Sequence, residues 1–390
     1  MKMRRRDFLA VAPAVLAAVA TFGETPLRNP FPRWRGFNLP GAPDQIPEDD
    51  FRMIQDLGFD WVRLPESYWN LVDSDATRKG RIELADVRNV KESALAHIDR
   101  LIDWGRKYSI HVNLALHRAP GFCISDYNPG RSPSEPFNLW KDPAAEDAFI
   151  FYWEMFARRY QAVSARDLSF NLLNEPMFPE PRPYLSPAES IIIAHQNQAR
   201  ARPRPPMSHE DHRRVMTHAI DRIRAVSPDR IVILDGLDVG RTIIPDMIPS
   251  GAGQSVHTYF PPEVSHYRAA WVDEKSDFPT PEWPALRRDG KARVTRETLE
   301  KIYEPWGWLA TQGIGVHAGE CGCYSKTPHD VFLRWTADVF DILKHHNIGW
   351  ALWNFRGPFG VLDSQRADVV YESWHGHQLD RKLLTLLQYT

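Results

Sequence analysis

The chain has few cysteines, almost no net charge and none of the short metal-binding motifs that identify many enzymes. Its 390 residues include three cysteines, Cys123, Cys321 and Cys323, which are too few for a disulfide scaffold. The sequence contains no CxxC or HExxH pattern, and the spacing of His317 to the two later cysteines is not a recognised zinc pattern. We therefore expect no metal and no other cofactor.

The charge pattern excludes a further class of partner. Lysine and arginine number 48 and aspartate and glutamate 50, a formal net charge of −2, and no basic stripe follows the amino terminus. Nothing in this pattern indicates binding to nucleic acid. Hydrophobic residues make up 43% of the chain and charged residues 25%, which is typical of a globular protein. A nearly neutral surface with many aromatic residues suits an uncharged polymer.

Residues 1–20 have the pattern of an export signal. A basic start precedes an apolar run from Phe8 to Ala20, and Ala18 and Ala20 form an A-x-A-like cleavage site. The segment RRDFL from Arg5 resembles the twin-arginine motif, which implies transport after folding. An ordinary secretory signal or an uncleaved anchor is the alternative, although the run is short for a membrane-spanning helix. We expect an exported, periplasmic or extracellular monomer that is not stably inserted in the membrane after cleavage.

Short apolar segments alternate with helical patterns along the rest of the chain. Asp142-Pro143 and Thr327-Pro328 each predict a helix start, with a capping side chain followed by proline. The fifth connection is the shortest. The predicted strands are 35–39, 59–64, 110–116, a segment around 170–173, 231–234, 255–260, 313–319 and 348–353. This alternation, without an internal linker, predicts a single (β/α)8 TIM barrel over residues 33–390, with long loops at the carboxyl ends of the strands.

Two glutamates follow predicted strands, the position where such barrels carry their active sites. Glu175 follows the apolar segment FNLLN, and Glu320 follows GVHAG. Either glutamate alone could be a solvated loop residue. Other polar and aromatic side chains share this predicted location, namely Arg63, His117, Asn174, His257, Tyr259 and Trp353. Alone, each histidine, Arg63 or Trp353 is more often structural than functional. Their shared placement favours one functional site.

Two facing carboxyl groups can hydrolyse a glycosidic bond, one as acid and the other as nucleophile or base. The two roles require opposite pKa tuning, because the acid holds its proton while the nucleophile is ionised. Arg63 is a candidate to keep Glu320 charged, and Tyr259 to donate a hydrogen bond to it. Asn174 can reach a sugar 2-hydroxyl, and Trp353 offers a flat apolar face to a sugar ring.

Six sequence blocks resemble glycoside hydrolase family 5. They are VRLP, ALHR, LLNEP, VHTY, AGECG and ALWNF, in that family's order and at the predicted ends of strands 2, 3, 4, 6, 7 and 8. The resemblance implies that Glu175 is the acid/base and Glu320 the nucleophile of a retaining enzyme. It also implies that the other six residues shape the subsite of the cleaved sugar, and that the substrate is a β-glycan, with β-1,4-glucan first.

Several alternatives stay open from the sequence. A β-mannanase or an exo-β-glucanase of the same family is possible, as is an exported barrel that binds glycans without cleaving them. A metal-dependent hydrolase needs more His and Asp at strand ends than the chain offers. Cys123 could meet Cys321 or Cys323 across the cleft. Some loop tryptophans could be sugar platforms or could pack their loops onto the barrel, namely Trp69, Trp140, Trp271, Trp283 and Trp374.

Overall fold

Eight parallel strands close into a barrel in the computed structural model of the protein. The structure describes residues 28–73, 82–124, 135–177, 207–272, 279–286 and 293–390. The strands are β1 (Arg35–Asn38), β2 (Trp61–Ser67), β3 (His111–Ala119), β4 (Leu168–Asn171), β5 (Ile231–Asp235), β6 (Gly253–His257), β7 (Val316–Cys321) and β8 (Gly349–Leu352). Each strand pairs with the next in chain order, and β1 pairs with β8, which closes the barrel. The predicted (β/α)8 barrel is confirmed.

Seven α-helices surround the barrel in the described ranges. They are α1 (Glu48–Asp56), α2 (Glu92–Lys107), α3 (Pro143–Arg159), α4 (His209–Val226), α5 (Arg296–Thr311), α6 (His329–His345) and α7 (Arg381–Tyr389). The connection from β5 to β6, which is described throughout, has a 3-10 helix at Pro245–Ser250 in place of a long helix. This explains why the sequence shows only a weak helical pattern there. Short hairpin strands and single helical turns occupy parts of the loops.

Local sequence signals set most helix starts. Asp142 caps α3 by accepting a hydrogen bond from the Ala144 amide, with Pro143 in the first turn as predicted. The predicted Thr327 cap is wrong by one residue, since Pro328 is the cap residue of α6. The Thr327 hydroxyl donates instead to the Val264 carbonyl at 2.6 Å, and Asp368 accepts from the first helical amide. A tertiary contact therefore replaces the local cap.

One continuous apolar core joins the strands to the helices. Parallel pairing aligns Phe37 with Val62, Val62 with Val112, and Leu114 with Phe170, and all of these side chains are buried. No helix in the described ranges is long and apolar enough to cross a membrane. The predicted export signal and the loop segment 178–206 lie outside the described residues.

A second apolar layer closes the barrel at the amino ends of the strands. The His111 ring stacks against both Trp34 and Trp61, with centroids 4.1 and 4.8 Å away, and the His317 ring lies 4.2 Å from Trp61. His111 Nδ1 donates to the Arg166 carbonyl, and His317 Nε2 faces the Trp34 carbonyl. Burial lowers the pKa of each histidine to about 3, so both rings are neutral in the folded protein.

These neutral histidines predict loss of stability in mild acid. The unfolded pKa of histidine is 6.5 and the folded pKa of both rings is about 3, so the unfolded chain binds more protons between these values. The free energy of unfolding should therefore fall as pH drops from 6.5 towards 3, by up to about 1.4 kcal/mol per pH unit for each ring.

Urea unfolding at a series of pH values measures this slope. A variant with both His111→Gln and His317→Gln should show a shallower dependence on pH than the parent. The matched control is His345→Gln, because this side chain is exposed and should leave the slope unchanged. An equal slope in the parent and the double variant would contradict the assignment.

Candidate active site

The polar residues singled out in the sequence meet at the carboxyl ends of the strands. Arg63 lies in β2, His257 ends β6, and Glu320 is the fifth residue of β7. Asn174 and Glu175 follow β4, which ends at Asn171, slightly earlier than predicted. Direct contacts join Arg63, Asn174, Glu175, His257, Tyr259 and Glu320 into one group.

Arg63 is the centre of this group. Its side chain is fully buried, a position that a charged group occupies only when it is paired. Nη1 donates to Glu320 Oε1 at 2.7 Å and to Asn38 Oδ1 at 3.1 Å. Nε donates to Asn171 Oδ1 and Nη2 to Asn174 Oδ1, both at 2.9 Å. The guanidinium therefore orients side chains from β1, β4 and β7 at once.

Glu320 is buried and held from two sides. Besides the bond from Arg63, Tyr259 donates its hydroxyl to Oε2 at 3.0 Å. Burial raises the pKa of the Glu320 carboxyl, and the positive charges of His257 and Arg63 oppose that rise. Tyr259 is buried too, and burial raises its pKa well above the ordinary value. The hydroxyl therefore stays protonated and able to donate. The surroundings of Glu320 thus supply donors to its ionised form.

Glu175 faces Glu320 in a more open setting. Its side chain is 16% exposed, compared with 5% for Glu320. The residue adopts a left-handed backbone conformation, with φ at 50°, and its amide donates to Asp235 Oδ2 at 3.1 Å. His257 Nδ1 donates to Glu175 Oε1 at 2.9 Å. The backbone and one carboxyl oxygen are fixed, and the partial exposure leaves the carboxyl within reach of a ligand.

The two carboxyl groups are close together. One oxygen of Glu175, one ring nitrogen of His257 and one oxygen of Glu320 lie within 4.8 Å of one another. Three such atoms could in principle hold a metal ion. Both His257 nitrogens, however, face carboxylate oxygens, and the Asp235 and Glu320 charges outweigh burial and raise the His257 pKa to about 10. In that protonation state the ring donates to its carboxylate neighbours and offers no lone pair to a metal.

His117 and Trp353 form an aromatic side of the site. Their ring centroids are 5.4 Å apart and the rings are stacked. Burial, with the nearby charges of Arg63 and His257, lowers the His117 pKa to about 3. His117 Nδ1 and Asn174 Nδ2 are both buried without a hydrogen-bond partner among the described residues. Two buried polar atoms are therefore available to a ligand at this place.

Asp235 belongs to the site although no sequence motif predicted a role for it. Its carboxylate is buried at the end of β5 and accepts from Asn171 Nδ2 at 2.9 Å as well as from the Glu175 amide. His257 Nε2 and Arg63 Nη2 lie 3.1 and 3.6 Å away. Burial alone would raise the Asp235 pKa, but His257 and Arg63 hold it well below its ordinary value. The sequence feature that could have indicated this role is an aspartate directly after a predicted apolar strand.

The loop tryptophans differ in how deeply they are buried. Trp140 and Trp283 are 1% and 5% exposed and belong to the core, which favours packing over a platform role. The Arg118 guanidinium lies 4.1 Å from the Trp69 ring centroid and covers one face of that ring. Trp374 is half-buried beside His375. Trp271 is half-buried and contacts Tyr324, with ring centroids 4.8 Å apart, in an aromatic cluster that reaches Tyr259 through Phe359.

No disulfide joins the three cysteines, all of which lie in the described ranges and are buried. Cys321 Sγ donates to the Ala351 carbonyl at 3.1 Å. Burial raises the pKa of each thiol, Cys321 and Cys323, above the ordinary value for cysteine, so neither is a reactive thiolate. The suggested pairing of Cys123 with one of them is therefore not observed.

Comparison with known proteins agrees with this geometry. The family model Cellulase (glycosyl hydrolase family 5) matches residues 24–357. Endoglucanase C of Acetivibrio thermocellus is 22% identical over 355 residues, which cover 84% of this chain and 89% of that protein. A crystal structure of a glycoside hydrolase has a TM-score of 0.75 and 33% identity, covering 91% of this chain and 98% of that chain.

A more distant structure has the same fold. The endoglucanase Cel5A of Thermotoga maritima has a TM-score of 0.64 at 18% identity, and the match covers 91% of this chain and 96% of that chain. At this identity the likeness concerns the fold alone. The family model, in contrast, spans most of the sequence and all six of the blocks from VRLP to ALWNF. The chain therefore belongs to glycosyl hydrolase family 5 and is a glycoside hydrolase.

Proposed function

We propose that this glycoside hydrolase cleaves β-glucan with net retention, using Glu320 as the nucleophile and Glu175 as the acid/base. The observation that carries the proposal is the approach of the two carboxyl groups, which have oxygens within 4.8 Å of each other. A retaining mechanism needs carboxyl groups about 5–5.5 Å apart, whereas an inverting one needs about 6.5–9.5 Å to admit a water molecule.

In this mechanism Glu320 attacks the anomeric carbon while Glu175 protonates the departing glycosidic oxygen. The bond from Glu320 to the sugar forms as the glycosidic bond breaks, giving a covalent glycosyl-enzyme. Glu175, now ionised, takes a proton from water, and the water oxygen displaces Glu320 from the sugar. The greater exposure of Glu175 suits a group that must meet both the leaving oxygen and the water.

Neighbouring side chains favour this division of roles. Arg63 and Tyr259 donate to the two oxygens of Glu320, which stabilises the carboxylate before attack and when it leaves. Arg63 also fixes the Asn174 carbonyl, and Asn174 Nδ2, which has no partner among the described residues, can donate to a sugar 2-hydroxyl. The stacked His117 and Trp353 rings provide an apolar surface for the sugar ring.

The preferred substrate is β-1,4-glucan, with a mannanase or an exo-β-glucanase as the alternative. The family description Cellulase and the name of the Acetivibrio endoglucanase support glucan and internal cleavage. An exported barrel that binds glycans without cleaving them is the alternative of another class. The loops expected to choose among substrates include segments outside the described residues.

Glu320→Gln should abolish turnover, because the amide cannot form the glycosyl-enzyme. We expect a loss of at least about 10⁴-fold in kcat without loss of fold. The measurement is chromatography of sugars released from soluble β-glucans, mannans and xylans by the parent and the variant. Release by the parent alone identifies the substrate, and the product lengths separate endo from exo action.

Glu146→Gln is the matched control for this experiment. Glu146 is also a buried glutamate, but it lies in α3 and pairs with Arg214 and His218. This control should keep parental turnover. Near-parental release of sugars by Glu320→Gln would refute the nucleophile assignment. Glycan binding without release by the parent would favour the non-catalytic alternative.

Glu175→Ala should slow substrates with poor leaving groups most, because these depend on protonation of the departing oxygen. We expect a loss of about 10²–10⁴-fold on polysaccharide and a smaller loss on an activated aryl β-glycoside. Azide should restore turnover of the aryl substrate and give a β-glycosyl azide, whose configuration also reports retention. Equal losses on both substrates, with no azide product, would contradict the acid/base role.

We also propose that the chain is exported by its amino-terminal signal and acts as a monomer. The twin-arginine-like segment from Arg5 to Leu9 supports export of the folded protein. Amino-terminal sequencing of the protein secreted by an expressing cell should begin near residue 21. Retention in the cell with Met1 intact would contradict this proposal, and the mass of the mature protein in solution tests the monomer.

A further inference from the structure

Asp235 forms a buried connection between the two halves of the catalytic site. Oδ2 accepts the Glu175 amide proton and lies 3.1 Å from His257 Nε2 and 3.6 Å from Arg63 Nη2. Oδ1 accepts from Asn171 Nδ2, which fixes the plane of the carboxylate. The side chain is wholly enclosed, so it does not contact the substrate directly.

His257 lies between Asp235 and the two catalytic carboxyl groups. Its Nε2 faces Asp235, while its Nδ1 is 2.9 Å from Glu175 Oε1 and 3.7 Å from Glu320 Oε2. A neutral imidazole has one N–H and one lone pair, so one of its nitrogens would direct a lone pair at a carboxylate oxygen. Only the doubly protonated ring has a hydrogen for each side. The Nε2 contact with Asp235 at 3.1 Å is an ion-pair contact rather than an aligned hydrogen bond, and the carboxylates beside both nitrogens favour an imidazolium.

The position of the ring is fixed by the backbone. Gly240, with φ at 77°, packs against His257, and a Cβ added at this glycine would lie 2.6 Å from the ring carbon Cγ. The ring therefore cannot turn away from its carboxylate partners on that side.

Among the residues that the structure describes, the charged or titratable groups that face His257 all belong to the site already described. Those groups are Asp235 from β5, Glu175 after β4, Glu320 from β7, Tyr259 after β6 and His117 from β3. Arg63 from β2 acts less directly, because it contacts Asp235. Asp235 and Glu320 favour the charged ring and together outweigh the effect of burial. His117 is itself neutral at ordinary pH because its pKa is about 3. At Nε2, the nitrogen that does not face Glu175 or Glu320, the negative charge is therefore that of Asp235.

We propose that Asp235 is a positioning residue that keeps His257 protonated and thereby sets the pH range in which Glu175 and Glu320 can act. The proposal rests on the catalytic roles given above. His257 donates a hydrogen bond to the acid/base and places a positive charge beside the nucleophile. Asp235 also holds the Glu175 backbone through its amide, so one buried carboxylate controls both the position and the charge of the acid/base surroundings.

Asp235→Asn tests the proposal with almost no change of shape. The amide can still accept from Asn171 or Glu175, but it carries no charge to hold the second proton on His257. Losing the imidazolium should raise the pKa of the Glu320 carboxyl, because His257 acts on Glu320 more strongly than Asp235 does. The pH profile of kcat/KM should move to higher pH by roughly one unit or more. We expect kcat at the optimum to fall while KM changes little.

Nitrogen-15 NMR of the histidine rings gives a readout that does not require activity. In the parent, both His257 nitrogens should carry protons at pH 8, and in Asp235→Asn the ring should be neutral at that pH. Asp380→Asn is the control, because Asp380 is also buried and pairs with His329 at 2.7 Å at the start of α7. It should leave the pH profile and the His257 signals unchanged.

The outcomes separate this proposal from the assignment of the catalytic residues. A parental pH profile in Asp235→Asn, or a His257 ring that stays doubly protonated at pH 8 in that variant, would overturn it. A neutral His257 in the parent at pH 8 would also overturn it, whether or not the variant folds. Failure of the Glu320→Gln test would instead refute the nucleophile assignment and leave the NMR result to be judged separately.

Discussion

The structure depends most on the pairing of one buried guanidinium. Arg63 is enclosed at the centre of the barrel mouth, and its contacts reach side chains from β1, β4, β5 and β7. A buried charge without partners is strongly unfavourable, and removing one partner of such a pair typically costs about 3–5 kcal/mol. The strands must therefore meet in one register for Arg63 to be satisfied. The same contacts orient Glu320 and Asn174, so the barrel and the site share one constraint.

Backbone strain lies beside this centre. Asp238, Val239 and Gly240 have φ at 54°, 57° and 77°, and Glu175 at 50°. A left-handed conformation costs roughly 1–2 kcal/mol for an ordinary residue, and it is uncommon for a β-branched residue such as Val239. The Val239 amide donates to the Pro176 carbonyl, one residue beyond Glu175. Surrounding contacts therefore hold a strained turn against the acid/base segment, and such strain is characteristic of functional sites.

The sequence predicted the barrel because each strand is a short apolar segment that ends at a proline, a glycine or a polar residue. It predicted the local cap at Asp142 but not the start of α6, where Thr327 bonds to the distant Val264. It missed Asp235 because an aspartate before a glycine is typical of a turn, and the charges that enclose it come from distant strands. The left-handed turn at Glu175 also depends on tertiary contacts. Burial of Trp140 and Trp283 could be learned only from the folded chain.

The energetic cost of burying several charged side chains together distinguishes an enzyme from a simple glycan-binding barrel. Arg63, Asp235, His257 and Glu320 are all buried, and apolar residues of similar volume in place of such pairs are often neutral or stabilising by about 1–4 kcal/mol. Sugar binding needs hydroxyl partners and an aromatic face, which Asn174 and Trp353 can supply without these charges. Fixed charges act most strongly where charge develops in a transition state, because they are already oriented in a site of low dielectric. This set of buried charges is therefore better explained by stabilisation of a reaction than by stabilisation of the fold or of a bound glycan.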